Sequence, residues 1–123
     1  MIRRLLLAAW LAAAPLHGAL AAELSGEWAR DDGHGSVRFS PCGDALCGII
    51  SARSDPNSAG KIGQKVFYDM RPDGENFWRG SAFNPDDGRV YTGKMTLSGA
   101  HLTTAGCVLG GIICKSLTWT KAK

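Results

Sequence analysis

Between Val90 and Leu97 the chain alternates strictly, with Tyr91, Gly93, Met95 and Leu97 on one face and Val90, Thr92, Lys94 and Thr96 on the other. A period of two belongs to a strand with one buried and one wetted face. The pattern recurs with turn signals between. Leu24, Gly26 and Trp28 share a face of a first strand that ends at Arg30-Asp31-Asp32-Gly33, and Val37 and Phe39 share a face of a second that ends at Pro41. A third strand runs from Gly48 to Ala52, and a polar loop covers 54–64. Val66 to Met70 is a short element whose pattern does not decide between helix and strand. Arg71-Pro72-Asp73-Gly74 reads as a turn, and Asn76 to Phe83 as a fifth strand with Trp78, Gly80 and Ala82 on one face. Asn84 to Gly88 turns the chain into the sixth strand. Ser98-Gly99 then leads to a seventh from His101 to Leu109 and an eighth from Ile112 to Lys121, where Leu117 and Trp119 face inward.

Eight short strands joined mostly by tight turns predict an all-β antiparallel meander, and a sheet of that length closes to remove its edges. The expected fold is a small eight-stranded barrel, just wide enough to be filled by side chains or to hold one small ligand. Glycines inside strands (Gly26, Gly80, Gly93 and Gly106) suit bends and close approaches at barrel corners.

The first 21 residues read differently. Arg3 and Arg4 precede an apolar run from Leu5 to Leu16, and Ala19-Leu20-Ala21 offers small residues about a cleavage point after Ala21 or Ala22. That is the pattern of a removable export signal, and the run is too short for a transmembrane helix. What remains, 22–123, is one domain of about 102 residues with one core. Twelve basic and 11 acidic side chains stay, so the formal charge falls from +3 to +1. A charge so near zero argues against nucleic-acid binding by bulk electrostatics. No later stretch is long enough to span a membrane. Fifteen glycines in the remainder exclude a helical bundle, since each weakens a helix interior by about 0.8–1.0 kcal/mol.

Four cysteines behind an export signal favour disulfides in an oxidising compartment, the periplasm or the exterior. Of the three connectivities, Cys42–Cys47 with Cys107–Cys114 is preferred. Cys107 to Cys114 reads as a hairpin turning at Gly110-Gly111, in which Leu109 faces Ile112, Val108 faces Ile113, and the two cysteines oppose each other. Cys42 to Cys47 brackets a turn containing Gly43. A zinc site is the alternative, but six residues separate Cys107 from Cys114, against the usual two to four. No metal and no cofactor is expected.

Gly26-Glu27-Trp28 is similar to the Gly-x-Trp that opens lipocalin-type barrels, where a basic residue near the end of the last strand covers the tryptophan at the closed end. Lys121 occupies that place. A longer series joins Gly26-Glu27-Trp28-Ala29-Arg30-Asp31-Asp32-Gly33 to Pro41-Cys42-Gly43-Asp44-Ala45-Leu46-Cys47-Gly48. It continues with Asp86-Asp87-Gly88-Arg89-Val90-Tyr91-Thr92-Gly93, Gly106-Cys107-Val108-Leu109-Gly110-Gly111, and Cys114 with Thr118-Trp119-Thr120. Together these resemble the small exported bacterial proteins of domain-of-unknown-function family 2147. The resemblance implies a lipocalin-like β-barrel in the periplasm or outside the cell, and it supplies no activity. That family usually carries arginine at the position of Lys121.

The candidate site residues follow from this frame. Trp78, Tyr91, Met95 and Trp119 sit on inward faces and are the expected lining of a cleft for a small apolar or amphipathic molecule. Trp28 and Lys121 are the expected closure pair. Asp31-Asp32, Asp44, Asp73 and Asp86-Asp87 are first of all turn residues, and the spacing of a calcium loop is absent. His34 and His101 lack a triad spacing or a nucleophile elbow, and no phosphate-cradling loop occurs. The principal expectation is a non-enzymatic binder. An envelope protein partner docking on the Val108-Leu109/Ile112-Ile113 tip is the alternative, and a hydrolase using rim carboxylates is a distant third.

Overall fold

The computed structural model describes residues 23–122; the expected export signal, Ala22 and Lys123 lie outside the described residues. Eight strands follow in order: β1 (Gly26–Arg30), β2 (Gly35–Cys42), β3 (Ala45–Arg53), β4 (Lys65–Pro72), β5 (Phe77–Asn84), β6 (Arg89–Ser98), β7 (His101–Val108) and β8 (Ile113–Lys121). Each pairs antiparallel with its neighbour in sequence, and β1 pairs with β8 through Trp28↔Lys121, Ala29↔Thr120 and Arg30↔Trp119. The sheet is therefore a closed meander barrel with no free edge.

Four elements depart from the sequence reading. Leu24 is helical and precedes β1, yet it is fully buried, because it plugs one end of the barrel and its carbonyl accepts the Trp28 indole N–H at 2.8 Å. The undecided segment at 66–70 belongs to a strand, β4, which also takes in Arg71 and Pro72, so the turn starts only at Asp73. Its alternation fails because the pairing with β5 shifts between Tyr68 and Arg71 and Asp69 has φ 53°, which leaves Val66, Phe67 and Met70 buried. A bulge of that kind mimics helical spacing. Strands β2 and β3 reach to Cys42 and Ala45, leaving only Gly43 (φ 69°) and Asp44 between them.

The fourth departure is the last hairpin. The disulfides Cys42–Cys47 and Cys107–Cys114 both form, and Cys107↔Cys114 and Val108↔Ile113 are registered pairs. Leu109 and Ile112, however, do not face each other across a two-residue turn. Residues 109–111 make a single 3-10 turn, with Leu109, Gly110 and Gly111 all at positive φ (53°, 68° and 94°). A bulky residue at positive φ is an outlier, and here it sits in the exposed β7–β8 connection.

The core gathers at one end. Leu24, Trp28, Phe39, Met70, Trp78, Met95 and Leu102 are at most 1% exposed. This is the closed end, where the β2–β3, β4–β5 and β6–β7 turns lie. One row toward the other end, the registered set is Gly80↔Gly93↔Gly106, three glycines on adjacent strands. At Gly80 a Cβ would stand 2.5 Å from the Asp69 carbonyl oxygen, so the bulge in β4 requires glycine there. On β5, β6 and β7 this row therefore brings no side chain into the barrel.

Candidate functional site

Above the glycine row the interior opens into a cavity of about 800 Å³ bounded by the β1–β2, β3–β4, β5–β6 and β7–β8 connections. Small-molecule pockets are typically about 300–1,000 Å³. Val37, Ile50, Val66, Phe67, Leu117 and Trp119 make its apolar wall. Ala52, Ala82 and Gly106 contribute small surfaces where larger residues would fill it. Phe67 meets Trp119 edge-on at 6.4 Å between centroids, which fixes the floor.

Polar groups gather toward the mouth, where His34, Arg53, Asp55, Asn84, Asp86 and Asp87 also line the cavity, and a few stand against the aromatic floor. The Trp119 indole N–H donates to Thr104 Oγ1 at 2.9 Å, and Thr104 is 2% exposed. Arg30 follows Gly26 and Trp28 on the inward face of β1, and its guanidinium stands 6.0 Å over the Trp119 ring. Arg30 Nη2 donates to Asp32 at 2.6 Å, whereas its Nε is buried and has no hydrogen-bond partner. A buried donor left unpaired costs about 1–3 kcal/mol; other parts of the Arg30 side chain line the cavity. Lys115 is the other cation on the inward register of the last strands, opposite Gly106.

The four expected lining residues part company. Tyr91 and Trp119 line the cavity; Trp78 and Met95, 1% and 0% exposed, do not, because they are packed within the filled core. All four share the inward face, and depth along the barrel separates them. Tyr91 sits at the rim and its hydroxyl donates to Asp87. This bond holds the Asp87 carboxyl below its usual 3.8 and pushes the Tyr91 phenol above 10.0. Lys121 Nζ stands 4.9 Å over the Trp28 ring at the opposite, closed end and donates to the Ser25 and Glu23 carbonyls at 2.6 and 3.1 Å.

The acidic turns divide between the two ends. Asp44 pairs with Arg71 and Asp73 with Arg79 at the closed end, both at 3.0 Å. At the open end Asp31 accepts from Thr120, and Asp32 from Arg30 and the His34 amide. Asp32 is held below 3.8 first by that amide and then by Arg30. His34 is exposed at the rim, and His101 lies at the far end. Among the described residues, no group of three or more His, Cys, Asp or Glu is arranged to hold a metal ion.

Sequence reading missed the apolar wall of Val37, Ile50, Val66, Phe67 and Leu117 and, among polar lining residues, Arg30, Thr104 and Lys115. The signal for Arg30 was present: it continues the 26–28 alternation, but its charge and the following Asp-Asp-Gly assign it to a turn. Thr104 has no such mark, since only its depth makes its hydroxyl a buried partner.

The fold and the cup define a closed eight-stranded β-barrel with one filled end and one open, mostly apolar end. The chain belongs to the family described as uncharacterized protein conserved in bacteria (DUF2147), which matches residues 26–121. No curated protein and no solved structure matches it.

Proposed function

We propose that this protein binds one small amphipathic molecule in the open half of the barrel, without altering it chemically. The observation that carries the reading is the cavity of about 800 Å³, its wall more apolar than polar, with the Arg30 side chain among its lining residues. An apolar body fits against Phe67, Trp119 and Leu117, and a hydrogen-bond-accepting group on the same molecule satisfies Arg30. Covering the apolar walls favours the bound state. The two disulfides fit an oxidising compartment. With the export pattern at the N-terminus, they support a place in the periplasm or outside the cell.

Native mass spectrometry of protein recovered from the cells that make it tests the reading directly. The expected result is a bound mass of lipid-like size that is lost in Gly106→Leu. Gly106 lines the cavity, is outside the left-handed region, and would place its Cβ in ordinary contact 3.5 Å from Tyr91. The variant therefore fills the cup while leaving the core alone. A mass equal to the bare chain, together with no uptake of a fluorescent fatty acid, would overturn the reading.

A further inference from the structure

The ionisable side chains that line the cup come from strand ends and from the connections at its mouth. Three are cations: Arg30 at the end of β1, Arg53 at the end of β3 and Lys115 near the start of β8. Three are carboxylates: Asp55 on the β3–β4 connection, with Asp86 and Asp87 on the β5–β6 turn. With His34 neutral, the lining therefore carries no net charge. The rim just outside it sets Asp31 and Asp32 against Lys61, Arg89 and Lys94, and this does not tip the balance far.

Most of these charges are already engaged. Arg30 donates to Asp32 at 2.6 Å, and Arg53 Nη1 donates to the Gly60 carbonyl at 2.8 Å. Asp55 accepts the Asn57 amide at 2.9 Å, and Asp87 accepts the Arg89 amide at 2.9 Å as well as the Tyr91 hydroxyl. Two lining side chains, Lys115 and Asp86, make no such bond among the described residues, and both are exposed. They are one of each sign. Ser36, Ser54, Ser58 and Asn84 line the same cavity and offer hydroxyl and amide groups without charge.

We infer that the cup selects an amphiphile whose head is uncharged and bears hydroxyl or ester oxygens, the chemistry of a monoacylglycerol. This selectivity presupposes the binding proposed above and names the class of molecule bound. A charged head entering a partly apolar volume loses hydration, and only an opposite charge free to meet it offsets that loss. A carboxylate head that reached Lys115 would meet Asp86 and Asp87 at the same mouth, and an ammonium head that reached Asp86 would meet Lys115 and Arg30. Either could gain a second partner only by breaking a bond such as Arg30–Asp32 or Tyr91–Asp87. Hydroxyl and ester oxygens need no such exchange. They accept from Lys115 and donate to Asp86 or to the serines, and the balance of charge stays as it is. The acyl chain then lies against Phe67, Leu117 and Trp119.

Displacement of an uncharged naphthylamine probe from the purified protein is the test, at about pH 8, above the ordinary histidine range. The competitors share one saturated chain and differ in the head: monomyristoylglycerol, myristate and myristylamine, each below its micelle concentration. Monomyristoylglycerol is expected to bind tightest, with the two charged competitors each about tenfold weaker. Neutralising one unengaged charge should move those two in opposite directions. Asp86→Asn should strengthen myristate about threefold and weaken myristylamine, and Lys115→Gln should do the reverse. Both side chains are exposed, so an unchanged near-ultraviolet circular dichroism spectrum checks the fold. Myristate or myristylamine binding as tightly as monomyristoylglycerol, or variants that leave the two charged competitors unmoved or move them together, would overturn the selectivity and leave the binding reading standing. No displacement by any of the three would overturn both.

Discussion

At the closed end Trp28, Phe39, Trp78 and Met95 meet and leave no room, while at the open end the same strands carry Ala52, Ala82 and Gly106 and leave about 800 Å³. Both ends have a disulfide, Cys42–Cys47 below and Cys107–Cys114 above, and both have an aromatic ring beneath a cation. The difference lies in what the cation does. Lys121 over Trp28 spends its donors on the carbonyls of Glu23 and Ser25, and so seals its end. Arg30 over Trp119 bonds Asp32 at the rim and lines the cavity instead of sealing its end. One ring–cation pair closes a barrel and the other equips a cup.

The largest expected effect breaks this comparison at its closed side. Trp28→Ala should cost about 3–5 kcal/mol in denaturant unfolding, since a buried indole leaves a cavity and strands Lys121. The disulfides come next. Removing either by paired Cys→Ala should cost about 2–3 kcal/mol, because each closes a short loop. Loss of Cys107–Cys114 alone should also raise hydrogen exchange in 108–113, whereas loss of Cys42–Cys47 should leave that segment unchanged.

Two of the three buried indoles of the described residues sharpen the contrast further. Trp119 Nε1 bonds Thr104, while Trp78 Nε1 is buried with no partner. Trp119→Phe should therefore be less stable than Trp78→Phe by about 1–3 kcal/mol, read from the unfolding midpoints. If the two cost the same, the Thr104 bond contributes nothing.

The smallest effects are electrostatic. Asp32, Asp44 and Asp87 all titrate below 3.8 in the fold, through the His34 amide, Arg71 and Tyr91 respectively. A lowered carboxyl value means stability present above the unfolded value and lost as the pH falls through the folded one. Thermal midpoints should be level down to about pH 4 and decline below it. Tyr91, raised above 10.0, contributes in the opposite sense: its share is present below 10 and is lost as the pH rises through its folded value. Tyr91→Phe should remove both the alkaline loss and the Asp87 part of the acid loss, and these exposed groups make the change small. Absorbance titration near the tyrosinate band and carboxyl-carbon shifts check the two ends.

Strand count, antiparallel order and both disulfides were legible in the chain, because alternation and turn residues are local and the meander joins only neighbours. β4 was not, because its bulge at Asp69 breaks the period that identifies a strand. The site was half legible. Alternation told which faces point inward, so Tyr91 and Trp119 could be found. It could not tell height along the barrel axis, so Trp78 and Met95 looked equivalent to them.

The sequence by itself determined an all-β chain that closes on itself, through the period of two and the glycine-bearing turns. Only the tertiary structure decided which end is full. Register aligns Gly80, Gly93 and Gly106 into one row, and the barrel's closure sets Arg30 over Trp119. Neither is a local property: strand residues far apart in the chain become neighbours only when hydrogen bonding fixes their stagger, and that stagger is what divides core from cavity.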